Sequence, residues 1–134
     1  MREPPLSRHD RGALAARVWW TYARVKIATW RRPLPEAVSR VTPTPSAHPH
    51  RHSPERLSRA VHACLWPMVG SPRCLFSSLT LFRLLAEQGD RPELVIGIEQ
   101  GAVDHKAHAW VELDGRDVGP PPGRGEHREL GRYR

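Results

Sequence analysis

Cysteine is scarce in this chain of 134 residues: Cys64 and Cys74, ten positions apart, are the two it has. That spacing excludes a CxxC metal or redox pair, and two thiols are too few for the disulfide framework of a small secreted domain. A reducing compartment fits this usage, and the protein is expected to be soluble and cytoplasmic. Long apolar runs are missing as well. No window approaches the roughly 20 apolar residues of a membrane-spanning helix, and Met1-Arg2-Glu3-Pro4-Pro5 lacks the apolar stretch of a secretory signal. Lysine supplies only two of the 21 basic residues, so the net charge of +7 is carried by arginine. Those arginines are scattered through every segment rather than gathered in one block, which argues against nucleic-acid binding. Apolar residues make up 39%, below the globular norm, and the fourteen prolines concentrate at the N-terminus, in residues 33–54 and in residues 120–122. Part of the chain therefore lies outside any core.

What is present reads as α+β. Leu14, Val18, Tyr22 and Val25 fall at helical spacing with Arg17, Arg24 and Lys26 between them, which predicts a helix over 12–32 that Pro33 stops. Trp19, Trp20 and Trp30 widen its apolar face beyond one seam; core packing is the favoured role, and a partner or membrane surface is the alternative. Residues 33–53, rich in Pro, Thr, Ser and His, read as a linker, because proline removes backbone donors and little there can be buried. His48, His50 and His52 alternate within it, but no cysteine or carboxylate accompanies them at ligand spacing, and no metal site is expected.

Ser53-Pro54-Glu55 has the form of a helix start, and Leu57, Val61, Cys64, Leu65 and Met68 repeat on one face until Pro67 and Gly70 end the run. Cys64 reads there as a small buried hydrophobe. Ser71-Pro72 repeats the start signal for a third helix over 73–88 that is apolar nearly all round, the pattern of a buried central helix, with Gly89 placed for a left-handed cap. Residues 94–99 and 108–113 read as strands, and Asp114-Gly115 predicts a two-residue hairpin into a third strand over 116–118. Beyond Pro120 the chain is Pro, Gly and charge, and a mostly irregular tail is expected.

Two residues carry candidate chemistry. Cys74 sits near the start of the third helix, where unpaired backbone amides and the helix dipole favour negative charge, as a thiolate nucleophile and a developing oxyanion both require. His108 opens a strand whose alternation sets His108, Trp110 and Glu112 on one face and Ala109, Val111 and Leu113 on the other. If the apolar face packs on the cysteine helix, the imidazole can reach that helix's N-terminus from the side, giving the nucleophile and base of a cysteine protease. Each residue alone also has a structural reading, as a buried cysteine and a satisfied strand histidine.

The segment 56–118 resembles the transglutaminase-like leader peptidases of lasso-peptide biosynthesis, related to the C-terminal domain of a microcin-processing protein. The matching stretches are Ser71-Pro72-Arg73-Cys74-Leu75, Phe82-Arg83-Leu84-Leu85, Glu93-Leu94-Val95-Ile96-Gly97 and Ala107-His108-Ala109-Trp110-Val111-Glu112 with Asp114-Gly115. The resemblance implies a papain-like fold with a Cys-His-Asp arrangement and no cofactor or metal. Cys74 would attack the scissile carbonyl, and His108 would take its proton. The substrate would be a ribosomally made precursor peptide whose leader is held by a separate recognition protein, and an ATP-dependent cyclase would act on the freed product.

The sequence departs from the family at the orienting acid, because the family's aspartate, carried over from His108 without gaps, lands on Pro120. Asparagine, the papain-type substitute, is absent from the chain. A tight hairpin would pair Glu112 with Asp117, which is then about 13 Å along the strand from His108. Asp114 is needed by the turn, Asp104 is equally distant, and nothing in the sequence demands that Glu126 or Glu129 fold back from the tail. Asp117 is the remaining choice as third catalytic residue. The alternative is a degenerate, non-catalytic component that keeps the fold and binds or delivers the precursor.

The architecture expected is an α+β, papain-like and transglutaminase-like domain with helices packed on a small antiparallel sheet. Residues 1–53 form a mobile arm with a basic helix and a Pro/His-rich linker, 54–122 the cysteine-peptidase core, and 123–134 an irregular charged tail.

Overall fold

The computed structural model describes residues 4–30, 33, 36, 52–69, 74–99, 107–119 and 127–133. Among them, three helices, α1 (Arg8–Trp30), α2 (Pro54–Val69) and α3 (Cys74–Glu87), precede four strands, β1 (Glu93–Glu99), β2 (Ala107–Leu113), β3 (Arg116–Gly119) and β4 (His127–Tyr133). The strands form one antiparallel sheet in the order β3-β2-β1-β4, so the α+β class holds. No helix among the described residues is long and apolar enough to cross a membrane.

Local chemistry sets most of the element ends. α1 starts four residues before the predicted position because Ser7 caps it: the Asp10 N–H donates to Ser7 Oγ at 3.1 Å, and that hydroxyl donates to Asp10 Oδ2 at 2.7 Å. Such a cap stabilises a helix by about 1 kcal/mol. α2 starts as expected, with the Arg56 N–H donating to Ser53 Oγ at 3.1 Å. It runs through Pro67 to Val69, since a proline in the last turn removes one donor without unwinding the turn before it. The start signal at Ser71-Pro72 lies outside the described residues. Gly89 closes α3 at φ 95°, with its N–H donating to the Ala86 carbonyl and the Asp90 N–H to that of Leu85, both at 3.1 Å. That pair of bonds is a Schellman cap.

α3 is the central helix. Leu79, Leu81, Phe82, Leu84 and Leu85 are buried in one core with Leu57, Val61 and Leu65 of α2 and Ala109, Val111 and Leu113 of β2. α1 belongs to the same core through Leu14, Val18, Tyr22 and Val25, and Arg17 Nη2 reaches Glu87 Oε2 at 3.1 Å. The basic helix is thus not carried on a mobile arm: its apolar stripe is buried against α3. The linker residues 37–51, His48 and His50 among them, lie outside the described residues, whereas His52 is clamped by Gln88 through bonds of 3.1 and 2.7 Å to its backbone N–H and carbonyl.

The tail, expected to be irregular, is instead a strand. His127–Tyr133 forms β4 on the open edge of β1, with Leu94↔Tyr133, Val95↔Arg132 and Gly97↔Glu129 in register. A run of charge lacks the alternation that marks a strand in sequence, and here the partner edge supplies the backbone bonds while charge suits an edge strand facing water. The core consequently extends past residue 122 to include Tyr133.

Candidate active site

The register of β1 and β2 sorts their side chains onto two faces. Leu94↔Val111 and Ile96↔Ala109 face the helices, and Val95↔Trp110 and Gly97↔His108 face away. His108, the second residue of β2, is therefore half-buried on the face opposite α3. Its ring lies 6.1 Å from that of Trp110 at an interplanar angle of 27°, a stacked arrangement that orients the imidazole.

Trp110 in turn is fully buried, and it occupies the space left by the missing side chain of Gly97. A Cβ there would stand 2.8 and 3.0 Å from Trp110 Cη2 and Cζ3, and 2.5 Å from the Arg128 carbonyl oxygen. Glycine inside a strand commonly marks such a close approach, and that signal could have singled out Gly97 beforehand.

Cys74 is the first described residue of α3, so its backbone stands among the helix's unpaired N-terminal amides. Its side chain lies outside the described residues. One turn later, about 6 Å along the axis and on the same helix face, comes Ser78. Ser78 is fully buried, and its Oγ donates to the carbonyl of Ala109, the residue after His108, at 2.9 Å. This bond ties the cysteine end of α3 to the histidine end of β2. Sequence reasoning missed it, because a serine inside an apolar helix carries no mark of its partner. Ser78→Ala leaves that buried carbonyl without its donor, and a loss of about 1–3 kcal/mol is expected, checked by urea unfolding. An unchanged midpoint would show the bond to be dispensable.

Asp117 is where the hairpin rule puts it. Asp114 and Gly115 both have positive φ, 54° and 77°, and Glu112↔Asp117 pair across the turn. This register does not bring Asp117 to His108: it sits four residues along β2, and its exposed carboxylate accepts the Gly119 N–H at 2.8 Å. A register shift between Val111 and Glu112 sets Gly119 opposite Val111 without moving Asp117 closer. Asp104, Pro120 and Glu126 lie outside the described residues. Glu129 occupies the same cross-sheet row as His108, with Gly97 between them.

Glu129 is already committed, since Arg132 Nε and Nη2 donate to its two carboxylate oxygens at 3.0 and 3.2 Å. Arg132 also contacts Glu93, and its Nη2 lies 2.8 Å from the buried Glu112 Oε2, in ion-pair range but without hydrogen-bond alignment. Hydrogen bonds from Glu129 and then Glu93 raise the arginine's pKa, so this cation is fixed across β1, β2 and β4. On the helical side, burial pushes the Cys64 thiol above the usual range, as expected of an inert packing cysteine.

The family model of the transglutaminase-like superfamily matches residues 17–130, from the middle of α1 into β4. No curated protein and no solved structure matches the chain.

Proposed function

We propose that this chain, which belongs to the transglutaminase-like superfamily, is a cysteine peptidase that removes the leader from a ribosomally made lasso-peptide precursor. The superfamily includes cysteine peptidases. The observation that carries the reading is that Cys74 opens α3 while Ser78, one turn on, is bonded to the carbonyl beside His108. The lasso-peptide substrate rests on the motif resemblance around Cys74 and His108.

In this reading the Cys74 thiolate adds to the scissile carbonyl carbon, and the amides at the start of α3 receive the oxyanion. His108, having taken the thiol proton, gives it to the departing amine as the C–N bond breaks. Water then hydrolyses the thioester with His108 as base, releasing the leader carboxylate and restoring the thiol. The Trp110 stack serves to hold the imidazole in position. A separate leader-recognition protein presents the precursor, and an ATP-dependent cyclase uses the freed amine.

The test is mass analysis of precursor incubated with this protein and the recognition protein. Two products whose masses sum to precursor plus one water are expected; precursor recovered intact after prolonged incubation would refute the reading.

The position of Asp117, across from Glu112 rather than beside His108, favours a second reading: a non-catalytic component that binds or delivers precursor. Thiol reactivity separates the two. At pH 6 a free thiol is less than about 1% ionised, so an activated Cys74 should alkylate at least about tenfold faster than free cysteine, while Cys64, its pKa raised by burial, lags behind it. Equal, slow labelling of both cysteines would favour the binding component.

A further inference from the structure

The helix that enters the core by one face has a second apolar face turned to solvent. At 100° per residue, Ala16, Trp20, Ala23, Ile27 and Trp30 line one side of α1, opposite Leu14, Val18, Tyr22 and Val25. All five are exposed, Trp20 by 66%, Ile27 by 72% and Trp30 by 80%. Trp19, next in sequence to Trp20, packs instead toward the core, edge-on to Tyr22 at 6.0 Å. The outer stripe runs about 21 Å along the axis at 1.5 Å per residue.

Its borders are cationic. Arg24 lies on one side and Lys26 on the other, both exposed. Among the described residues of α1 the one acidic side chain is Asp10, engaged by the Ser7 cap. We infer that α1 is a peripheral anchor that lays this stripe on an anionic lipid surface, its indoles and isoleucine at the boundary of headgroups and acyl chains and its cations on lipid phosphates.

Two observations favour lipid over other occupants. Packing the stripe on a second copy would bring like-charged borders face to face, which disfavours self-association. The stripe also offers no hydrogen-bonding side chain beyond its two indole N–H groups, whereas protein interfaces carry roughly one hydrogen bond per 100–200 Å2. Exposed tryptophans on a stripe with flanking cations are the chemistry of an in-plane interfacial helix. This inference is independent of the peptidase reading.

The test is co-sedimentation of the full chain with vesicles of phosphatidylcholine containing 30% phosphatidylglycerol, against phosphatidylcholine alone. Binding to the anionic vesicles is expected, weakened by added salt. Replacing Arg24 and Lys26 by glutamine should weaken it by about 25-fold, at about fivefold per cation. Trp20→Ser/Ile27→Ser/Trp30→Ser should abolish it without lowering the thermal midpoint, because these side chains are exposed. The inference is overturned by absence of binding to anionic vesicles, or by equal binding of the triple variant, which would leave only scattered arginine charge. It is equally overturned if the wild-type chain is a dimer in solution that the triple variant loses.

Discussion

Replacing Cys74 by alanine is expected to stop precursor cleavage, with kcat falling by more than about 10^4-fold, on the scale found when a protease loses its nucleophile. The expectation follows from the division of labour proposed for the site. The amides at the start of α3 stabilise negative charge whichever residue occupies position 74, but they supply no electron pair for the carbonyl carbon. His108→Ala should cost nearly as much, because no base is left to take the thiol proton and the leaving amine departs unprotonated. The double variant should be no worse than either single one, since residues that act as a unit are not additive. Each variant is to be compared at equal folded fraction, verified by circular dichroism. Cleavage persisting in Cys74→Ala at more than a tenth of the wild-type rate would remove the nucleophile from the mechanism.

Trp110→Ala is expected to be the most destabilising single substitution, by about 3–5 kcal/mol. Trp110 is fully buried, and its ring fills the hollow over Gly97 on the sheet face turned away from the helices. Cutting it to a methyl group opens a cavity where β2, β1 and β4 converge. For a domain with a stability of about 5–15 kcal/mol, this is a fifth or more of the total, a drop in midpoint of roughly 10–20 °C. Gly97→Ala attacks the same junction from the other side. Its Cβ would meet the Arg128 carbonyl at 2.5 Å, and because that oxygen belongs to paired backbone it cannot swing aside as a side chain would.

Both variants should also carry a catalytic signature. The stacked His108 ring loses its support, so kcat should fall more than KM changes at a temperature where the protein stays folded, with Trp110→Phe restoring part of it. A Trp110→Ala protein melting within about 3 °C of wild type would contradict the packing argument.

Short-range chemistry was legible from the start. Ser53-Pro54, Gly89 and Asp114-Gly115 each act within a few residues, as a cap, a left-handed turn and a positive-φ hairpin, and the structure has each of them. The all-round apolarity of α3 foretold its central place, because such a helix has no face to show to water. The order of Cys74 at a helix start and His108 on a following strand was equally visible, and with it the candidate nucleophile and base.

The misses have two causes. Ser7 and Asp10 were a legible cap, passed over because apolar spacing begins later, at Leu14. β4 was not legible, because a charged strand is created by the unpaired edge of β1 and by Arg132 reaching Glu93, Glu112 and Glu129. The pairing of Ser78 with Ala109, and the fit of Trp110 over Gly97, join residues far apart in the chain and leave no periodic trace.

The amino-acid order by itself determined which segments are helix and turn, where the central helix lies, and which thiol and imidazole are candidates for chemistry, since propensity, capping and patterning act over neighbouring residues. Only the tertiary structure decided that the tail adds the fourth strand to the sheet, that the basic helix turns one apolar face inward and another outward, and that Asp117 stands opposite Glu112 while Glu129 is taken by Arg132. Those outcomes depend on strand register and on which edges and charges are left unsatisfied once the core has packed.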